Sequence, residues 1–311
     1  MPLRFRATRH PVGQDAAEGF PNSNGEGLLV ACPSRMVIVT STVVDKRPQT
    51  KPLAVFLDFE GTLNDVVGSG RLYARDFVSW ARGVYPIDAS VWAAALTKAM
   101  EGVFRNQVAA ARHPETWPGY ATYRRRELTL WAQDLFREAG LTVPGDREAL
   151  EMALRLEDEV PSKMAPLPGA LELISALADH NGRQLFIASG APSSYTKQCL
   201  QSASVLIHFA RVLGPDVVDT LKTGPEYYRR AFQITGRSPD QCVVVDDSPS
   251  PLAWALETGA RAVVAVGKAA TEVQGVWERE AAAHPGSARA ENLIRASGLS
   301  EVPAILERLE A

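Results

Sequence analysis

The stretch Leu53–Asp65 reads Leu-Ala-Val-Phe-Leu-Asp-Phe-Glu-Gly-Thr-Leu-Asn-Asp, a short apolar run halted by a carboxylate. A continuous, partly β-branched run of this length is the pattern of a parallel strand covered on both faces. Gly61-Thr62 then turns the chain out of the sheet, so Asp58 and Glu60 fall at the carboxyl edge of the strand. Open α/β sheets bind their ligands at that edge, where a carboxylate serves as metal ligand, nucleophile or helix cap. Taken alone, the stretch fits a strand followed by an acidic turn equally well.

The rest of the chain supplies enough apolar material for a full core: 46% of its 311 residues are hydrophobic, sufficient for one large domain or a domain carrying an insertion. A formal net charge of −3 offers no basic surface of the kind a nucleic-acid binder needs. An anionic substrate must therefore be held by local groups. Cys32, Cys199 and Cys242 are odd in number and lack metal-like spacing, which argues against disulfides or a zinc site and makes a reducing cytoplasm the expected location. No apolar run is long enough to span a bilayer.

Residues 1–50 are expected to be a disordered tail, with the polar, glycine-rich 21–27 and no period before Leu28. Leu29-Val30-Ala31-Cys32 looks like a lipoprotein cleavage box, but the preceding apolar segment of a signal peptide is missing. The β-prone run Met36–Val44 reads either as an added edge strand or as the start of a chain initiated at Met36.

From about Leu72 to Met164 the chain turns rich in Ala, Leu, Arg, Glu and Trp at helical spacing, which predicts a helical insertion over 71–165 within an α/β core formed by 51–70 and 166–311. Helices are expected over Val91–Ala111, Tyr120–Ala139 and Arg147–Val160, separated by Pro- and Gly-containing turns. Two features in the insertion are placed to meet a substrate, the turn His113–Tyr120 and the basic run Arg124–Arg126. A solvated helix face and a bundle core account for them as simply.

An alternating pattern follows. Pro168-Gly169 opens a helix over Ala170–Asp179, and the strand Gln184–Ser189 ends at Gly190. The Ser189 hydroxyl and the free backbone N–H groups at Gly190 suit an anionic oxygen, although a plain N-cap or ST-turn uses the same pair. Ile207–Leu213 reads as a short strand. Lys222 then precedes the helix Tyr227–Gly236, either as a point charge for phosphate or as one more surface lysine. Gln241–Val245 runs directly into Asp246-Asp247-Ser-Pro, two adjacent carboxylates whose repulsion a hard divalent cation relieves. A helix over Ala253–Thr258 and a last strand over Arg261–Val266 complete the pattern.

The ordered set Asp58-x-Glu60-Gly-Thr, Ser189-Gly190, Lys222 and Asp246-Asp247 resembles the haloacid dehalogenase superfamily of phosphohydrolases, over about residues 53–267. The spacing agrees, since only the gap from Asp58 to Ser189 is long enough for a helical cap. Asn292–Leu309 looks like the closing segment of that family. The resemblance implies a doubly wound parallel sheet with an inserted helical cap, the cap closing over the site. It also implies a Mg2+-dependent phosphohydrolase acting on a small phosphorylated metabolite; charge and hydropathy lead to the expectation of no nucleic-acid or membrane partner.

Carried over by resemblance, Asp58 is the nucleophile that becomes an aspartyl-phosphate, and Glu60 is the general acid and base. Mg2+ is held by Asp58, the main-chain carbonyl of Glu60, and one or both of Asp246 and Asp247. Ser189 and Gly190 bind phosphate oxygens, and Lys222 pairs with both phosphate and Asp58. Two residues depart from the family pattern. Glu60 stands where Asp is usual; an enolase-phosphatase branch shares Asp-x-Glu-Gly-Thr, yet Ile-Ala-Ser-Gly and Val-Asp-Asp-Ser-Pro look more like the general helical-cap phosphatases. Lys222-Thr-Gly-Pro replaces the usual Lys-Pro-x-Pro, a change of turn rigidity. A phosphomutase of the same fold and a non-catalytic phospho-ligand binder are the alternatives. Physiological substrate and oligomeric state have no signature in the sequence.

Overall fold

A computed structural model of the chain describes residues 53–112, 117–180, 182–267, 269–270 and 292–311. The expected tail over 1–50, the Met36–Val44 run, Cys32 and residues 113–116 of the turn His113–Tyr120 lie outside the described residues.

Six strands form one parallel sheet: β1 (Ala54–Leu57), β2 (Gln184–Ala188), β3 (Arg211–Leu213), β4 (Cys242–Asp246), β5 (Ala262–Ala265) and β6 (Leu293–Arg295). Their order across the sheet is β3-β2-β1-β4-β5-β6. The fold is therefore the doubly wound α/β class expected from the sequence, and the strand order reverses between β1 and β4. That reversal opens the crevice in which such sheets bind ligands. All four residues of β1 are buried because both faces are covered. Val55 and Leu57 face a layer built by α5 (Ala170–Ala178), α6 (Ser193–Ser202) and the C-terminal helix α10 (Val302–Glu310). Ala54 and Phe56 face the opposite layer, formed by α7 (Pro215–Val218), α8 (Pro225–Thr235) and α9 (Pro249–Glu257), where Phe56 stacks on Phe186 at 4.8 Å and meets Phe232 edge-on.

Between β1 and α5 the chain makes four helices: α1 (Val66–Val84), α2 (Ala89–Arg112), α3 (Tyr120–Glu138) and α4 (Asp146–Glu159). They pack around a hydrophobic cluster of their own, with Phe77, Trp92, Ala99, Leu135 and Leu156 at its centre. The first of them begins at Val66, earlier than the helical spacing from Leu72 indicates. Gly68 and Gly70 dilute the helical signal there, while Asp65 starts the helix by accepting the Val67 N–H at 3.0 Å. Gly68 has a steric reason: a Cβ there would meet the Ala165 Cβ at 2.9 Å, where the chain returns from the insertion.

Two expectations for the region after β2 are corrected. Ile207–Leu213 is not one strand. Leu206–His208 is a single 3-10 turn with Ile207 87% exposed, and only Arg211–Leu213 joins the sheet. An apolar run this short carries no period that separates turn from strand. The helix expected from Ala253 starts at Pro249, whose fixed φ suits a first helical turn. Cys199 and Cys242 are both free and buried. Among the described residues no helix is long and apolar enough to cross a membrane.

Candidate active site

Strand register assembles the site. Leu57 lies between Ile187 and Val245, so the next residue along β1, Asp58, reaches the sheet edge beside the ends of β2 and β4. Its amide continues the ladder by donating to the Val245 carbonyl at 2.9 Å. The structure thus brings Asp58, Ser189, Lys222, Asp246 and Asp247, widely separated in the chain, to one edge at the switch point.

At the centre lies Lys222, whose side chain is 6% exposed. Its Nζ donates to Asp58 Oδ1 at 2.7 Å, to Asp246 Oδ2 at 2.7 Å and to the Ala188 carbonyl at 2.9 Å, which uses all three ammonium protons. Burial works against the charge, but Asp246 and Asp58 outweigh it and hold the ammonium well above its ordinary pKa. The Tyr228 ring, 5.9 Å from Nζ, adds a cation–π face. Lys222 is therefore no surface lysine.

Three carboxylates cluster here, and the ammonium bridges two of them, Asp58 and Asp246. One oxygen from each of Asp58, Asp246 and Asp247 lies within 4.8 Å of the others. Burial lifts Asp246 to about 7, with the Asp58 charge adding to the rise and Lys222 opposing it. Asp247 is pushed up for the same reasons, burial first and then Asp58. Asp58 Oδ2 is buried and has no hydrogen-bond partner among the described residues, a costly state for a carboxylate oxygen unless a ligand completes it. An all-oxygen donor set with excess negative charge and one orphaned oxygen fits a hard divalent cation.

Each acid is held by its neighbours. Asp246 Oδ1 accepts the Ser248 N–H at 2.8 Å, and the Asp247 N–H donates to Thr62 Oγ1 at 3.1 Å, tying β4's end to the turn after β1. Gly61, at φ 88°, lies against Asp247, and any Cβ there would collide with that carboxylate.

Glu60 stands at the rim, and burial raises its pKa; hydrogen bonds from Tyr195 and Asn64 pull it back, while Asp58 adds to the rise. An upward shift is the direction a general acid calls for. Asn64 Nδ2 donates to Glu60 Oε2 at 3.2 Å and lies 3.4 Å from Oε1.

Ser189 is fully buried; its Oγ accepts the Ala191 N–H at 3.0 Å, the ST-turn weighed from sequence. The turn leaves the hydroxyl proton free to donate, so the two readings are compatible. Tyr227 fixes the loop with its hydroxyl between the Leu213 carbonyl at 2.7 Å and the Ser189 carbonyl at 3.0 Å, which share its one proton. Gly190 is exposed next to Ser189, its Cα facing the Lys222 Cβ.

The basic run divides. Arg124 is drawn between Glu127 and Glu157 within the helical insertion, whereas Arg125 and Arg126 are exposed. Trp117 and Tyr120 reach the loop that leads to Lys222, where Tyr120 N–H donates to Asp219 Oδ1 at 2.8 Å and Trp117 Nε1 to the Asp219 carbonyl at 3.2 Å. Sequence reasoning missed Asn64, Tyr195 and Asp219, and it read Thr62 only as part of the motif's turn. Each works through a partner far along the chain or across a turn, and the first three belong to no motif. The one available hint was Glu60 itself, whose extra methylene asks for a different holder.

With this geometry established, comparison with known proteins identifies the class. The profile of the haloacid dehalogenase-like hydrolases matches residues 52–257, more than half of the chain. The chain belongs to that family and is a hydrolase of its fold. Among solved structures it is similar to the HAD-hydrolase YfnB from Bacillus subtilis bound to magnesium, at 15% identity and a TM-score of 0.53, covering 83% of this chain and 99% of that one. A defluorinating L-2-haloacid dehalogenase aligns at 18% identity and a TM-score of 0.52, covering 84% of this chain and 98% of that one. A further L-2-haloacid dehalogenase gives 16% and 0.52, covering 83% and 99%. At these identities the likeness establishes fold and not reaction. A search of curated proteins finds no significant match.

Proposed function

We propose that the chain is a Mg2+-dependent phosphohydrolase that cleaves a small phosphomonoester through an aspartyl-phosphate on Asp58. The observation that carries this reading is the cluster of Asp58, Asp246 and Asp247, in which one ammonium bridges only the first two and Asp58 Oδ2 is buried and unpartnered. Displacement of halide from a carboxylate substrate calls for no such surplus of negative charge. A cation with a phosphate dianion balances it.

Asp58, the Glu60 main-chain carbonyl, Asp246 and Asp247 would hold Mg2+. When bound, the ion neutralises charge on the nucleophile and on the phosphoryl oxygens. The chain's own residues do the rest. Lys222 anchors Asp58 through Oδ1 and keeps its carboxylate oriented. A carboxylate oxygen of Asp58 attacks phosphorus, the P–O bond to the leaving group breaks, and Glu60 gives its proton to the departing oxygen. In the second half Glu60 takes a proton from water as that water attacks phosphorus. The bond to Asp58 breaks, phosphate leaves, and Glu60 is again protonated. Ser189 Oγ–H and the Gly190 N–H donate to the phosphoryl oxygens. The four-helix insertion acts as a cap that limits the water reaching the site, which favours a small metabolite over a macromolecule.

Glu60 separates this reading from dehalogenation, because a halide departs without a proton and an alkoxide does not. The test is phosphate release from a panel of phosphomonoesters with Mg2+ and with EDTA, run beside halide release from 2-haloacids. Magnesium-dependent phosphate release without halide release is the expected result. Halide release indifferent to EDTA, with no phosphate released, overturns the proposal.

A further inference from the structure

We propose that Asn64 is a positioning residue for Glu60, with Tyr195 as its second support, and that together they set the direction in which the longer carboxyl arm delivers its proton. The inference rests on the phosphatase reading and adds to it the residues that make Glu at position 60 workable.

Asn64 is fully buried, and every polar atom of its amide is engaged by a different part of the fold. Nδ2 donates to the Glu60 carboxylate and to Ser69 Oγ at 3.0 Å, the latter in the first turn of α1. Oδ1 accepts the Ala165 N–H at 2.8 Å, on the segment returning from the insertion. A main-chain N–H can only donate, so the oxygen of the amide must face Ala165. The NH2 group consequently faces Glu60 in the only orientation that satisfies both neighbours. The amide thus acts as a fixed donor aimed at the carboxylate.

Tyr195 approaches from α6. Its ring meets Phe59 edge-on at 6.4 Å, and its hydroxyl lies near enough to Glu60 and Ser69 to act on both electrostatically. The Glu60 carboxylate is therefore held by the Asn64 amide, with the Tyr195 hydroxyl beside it. An unrestrained Glu has one more rotatable bond than Asp and spreads its carboxyl group over several positions. Only a few of these reach a leaving oxygen on a phosphorus bound at Asp58, so a grip of this kind is what converts the longer arm from a handicap into a defined acid.

A merely structural role competes with this one, because Asn64 also stitches together the two connections between sheet and insertion. Main-chain bonds hold that crossing independently of the side chain: Gly61 N–H to the Asn64 carbonyl at 2.9 Å, Asn64 N–H to the Phe59 carbonyl at 2.9 Å and Asp65 N–H to the Ala165 carbonyl at 2.8 Å.

Leaving-group dependence separates the two roles. The full-length parent, Asn64→Ala and Tyr195→Phe are compared with Mg2+ on 4-nitrophenyl, phenyl and alkyl phosphates, with kcat and KM measured separately and thermal unfolding recorded. kcat/KM reports the first half-reaction alone, before Glu60 acts as base, and a good leaving group needs no proton there, so 4-nitrophenyl phosphate should lose less than about twofold in kcat/KM. Phenyl and alkyl phosphates should lose about tenfold or more in kcat/KM. Tyr195→Phe is close to isosteric and should show the same selectivity more mildly; it decides the matter if Asn64→Ala fails to fold. Losses in kcat/KM that are equal across the leaving groups overturn the positioning role while leaving the phosphatase reading intact. A folded parent that releases no phosphate from any of the three removes both.

Discussion

Lys222 Nζ stands 2.7 Å from Asp58 Oδ1 and an equal 2.7 Å from Asp246 Oδ2, a buried ammonium holding apart two acids that come from neighbouring strands. Removing one member of a buried ionic group leaves the others uncompensated, which typically costs about 3 kcal/mol. Lys222→Met should therefore destabilise the metal-free protein by about that amount at neutral pH, measured by urea unfolding. Activity should fall by about three orders of magnitude. Addition of Mg2+ should recover part of the stability, since the cation substitutes for the missing charge. A variant as stable as the parent would show that the pair contributes nothing net.

Gly61 predicts a metal phenotype from a single methyl group. Its φ of 88° is unfavourable for any side chain, and the new Cβ would strike the Asp247 carboxylate. Gly61→Ala should cost about 1–2 kcal/mol of stability and displace Asp247. Mg2+ affinity, read by titration calorimetry, should weaken about tenfold. Unchanged affinity would remove Asp247 from the cation site.

Asp219 caps a helix to which it does not belong. The first amide of α3 donates to its carboxylate, and the residue itself adopts the left-handed conformation at φ 54° and ψ 35°. Asp219→Asn keeps an acceptor oxygen and tolerates that conformation, so it should be near neutral. Asp219→Ala should lose about 1 kcal/mol, and the Tyr120 amide should exchange with solvent faster. Protection unchanged in Asp219→Ala would show that the cap does not hold the start of α3.

Glu310 tests the closure of the C-terminal helix. Arg183, only 1% exposed, pairs with it at 2.7 Å and holds its carboxyl below the usual carboxylate range. A lowered folded pKa contributes stability that is present above the unfolded value and is lost as pH falls through the folded value. Glu310→Gln should thus cost about 0.5–1 kcal/mol at pH 7, allowing for solvent screening. The difference from the parent should vanish in acid below the ordinary Glu range. A difference independent of pH would assign the effect to packing.

Much of the site is legible in the sequence because each of Asp58, Ser189 and Asp246 ends an apolar run, and a residue ending a parallel strand can go only to the sheet edge. Lys222 is legible by its order among these motifs, although its burial is not. The supporting residues are invisible for a physical reason. Asn64 acts by completing hydrogen bonds with Ala165 and Ser69, Asp219 by capping a helix in the insertion, and Thr62 by catching the Asp247 amide, and none of these pairings leaves a periodic trace. Ile207 shows the converse. It is as apolar as a strand residue, but it sits in the 3-10 turn Leu206–His208 ahead of the strand that starts at Arg211, and local hydrophobicity does not reveal that.

The central claim is that Asp58 attacks phosphorus, and the most direct measurement is the identity of the group it carries during turnover. The protein with Mg2+ is mixed with its best phosphomonoester, quenched in acid within one turnover and digested, and the Asp58 peptide is weighed. The account predicts a phosphoryl adduct on Asp58 in the parent and none in a folded Asp58→Asn. Phosphate release undiminished in Asp58→Asn, or an organic ester on Asp58 after exposure to a 2-haloacid in place of the phosphoryl adduct, would contradict it.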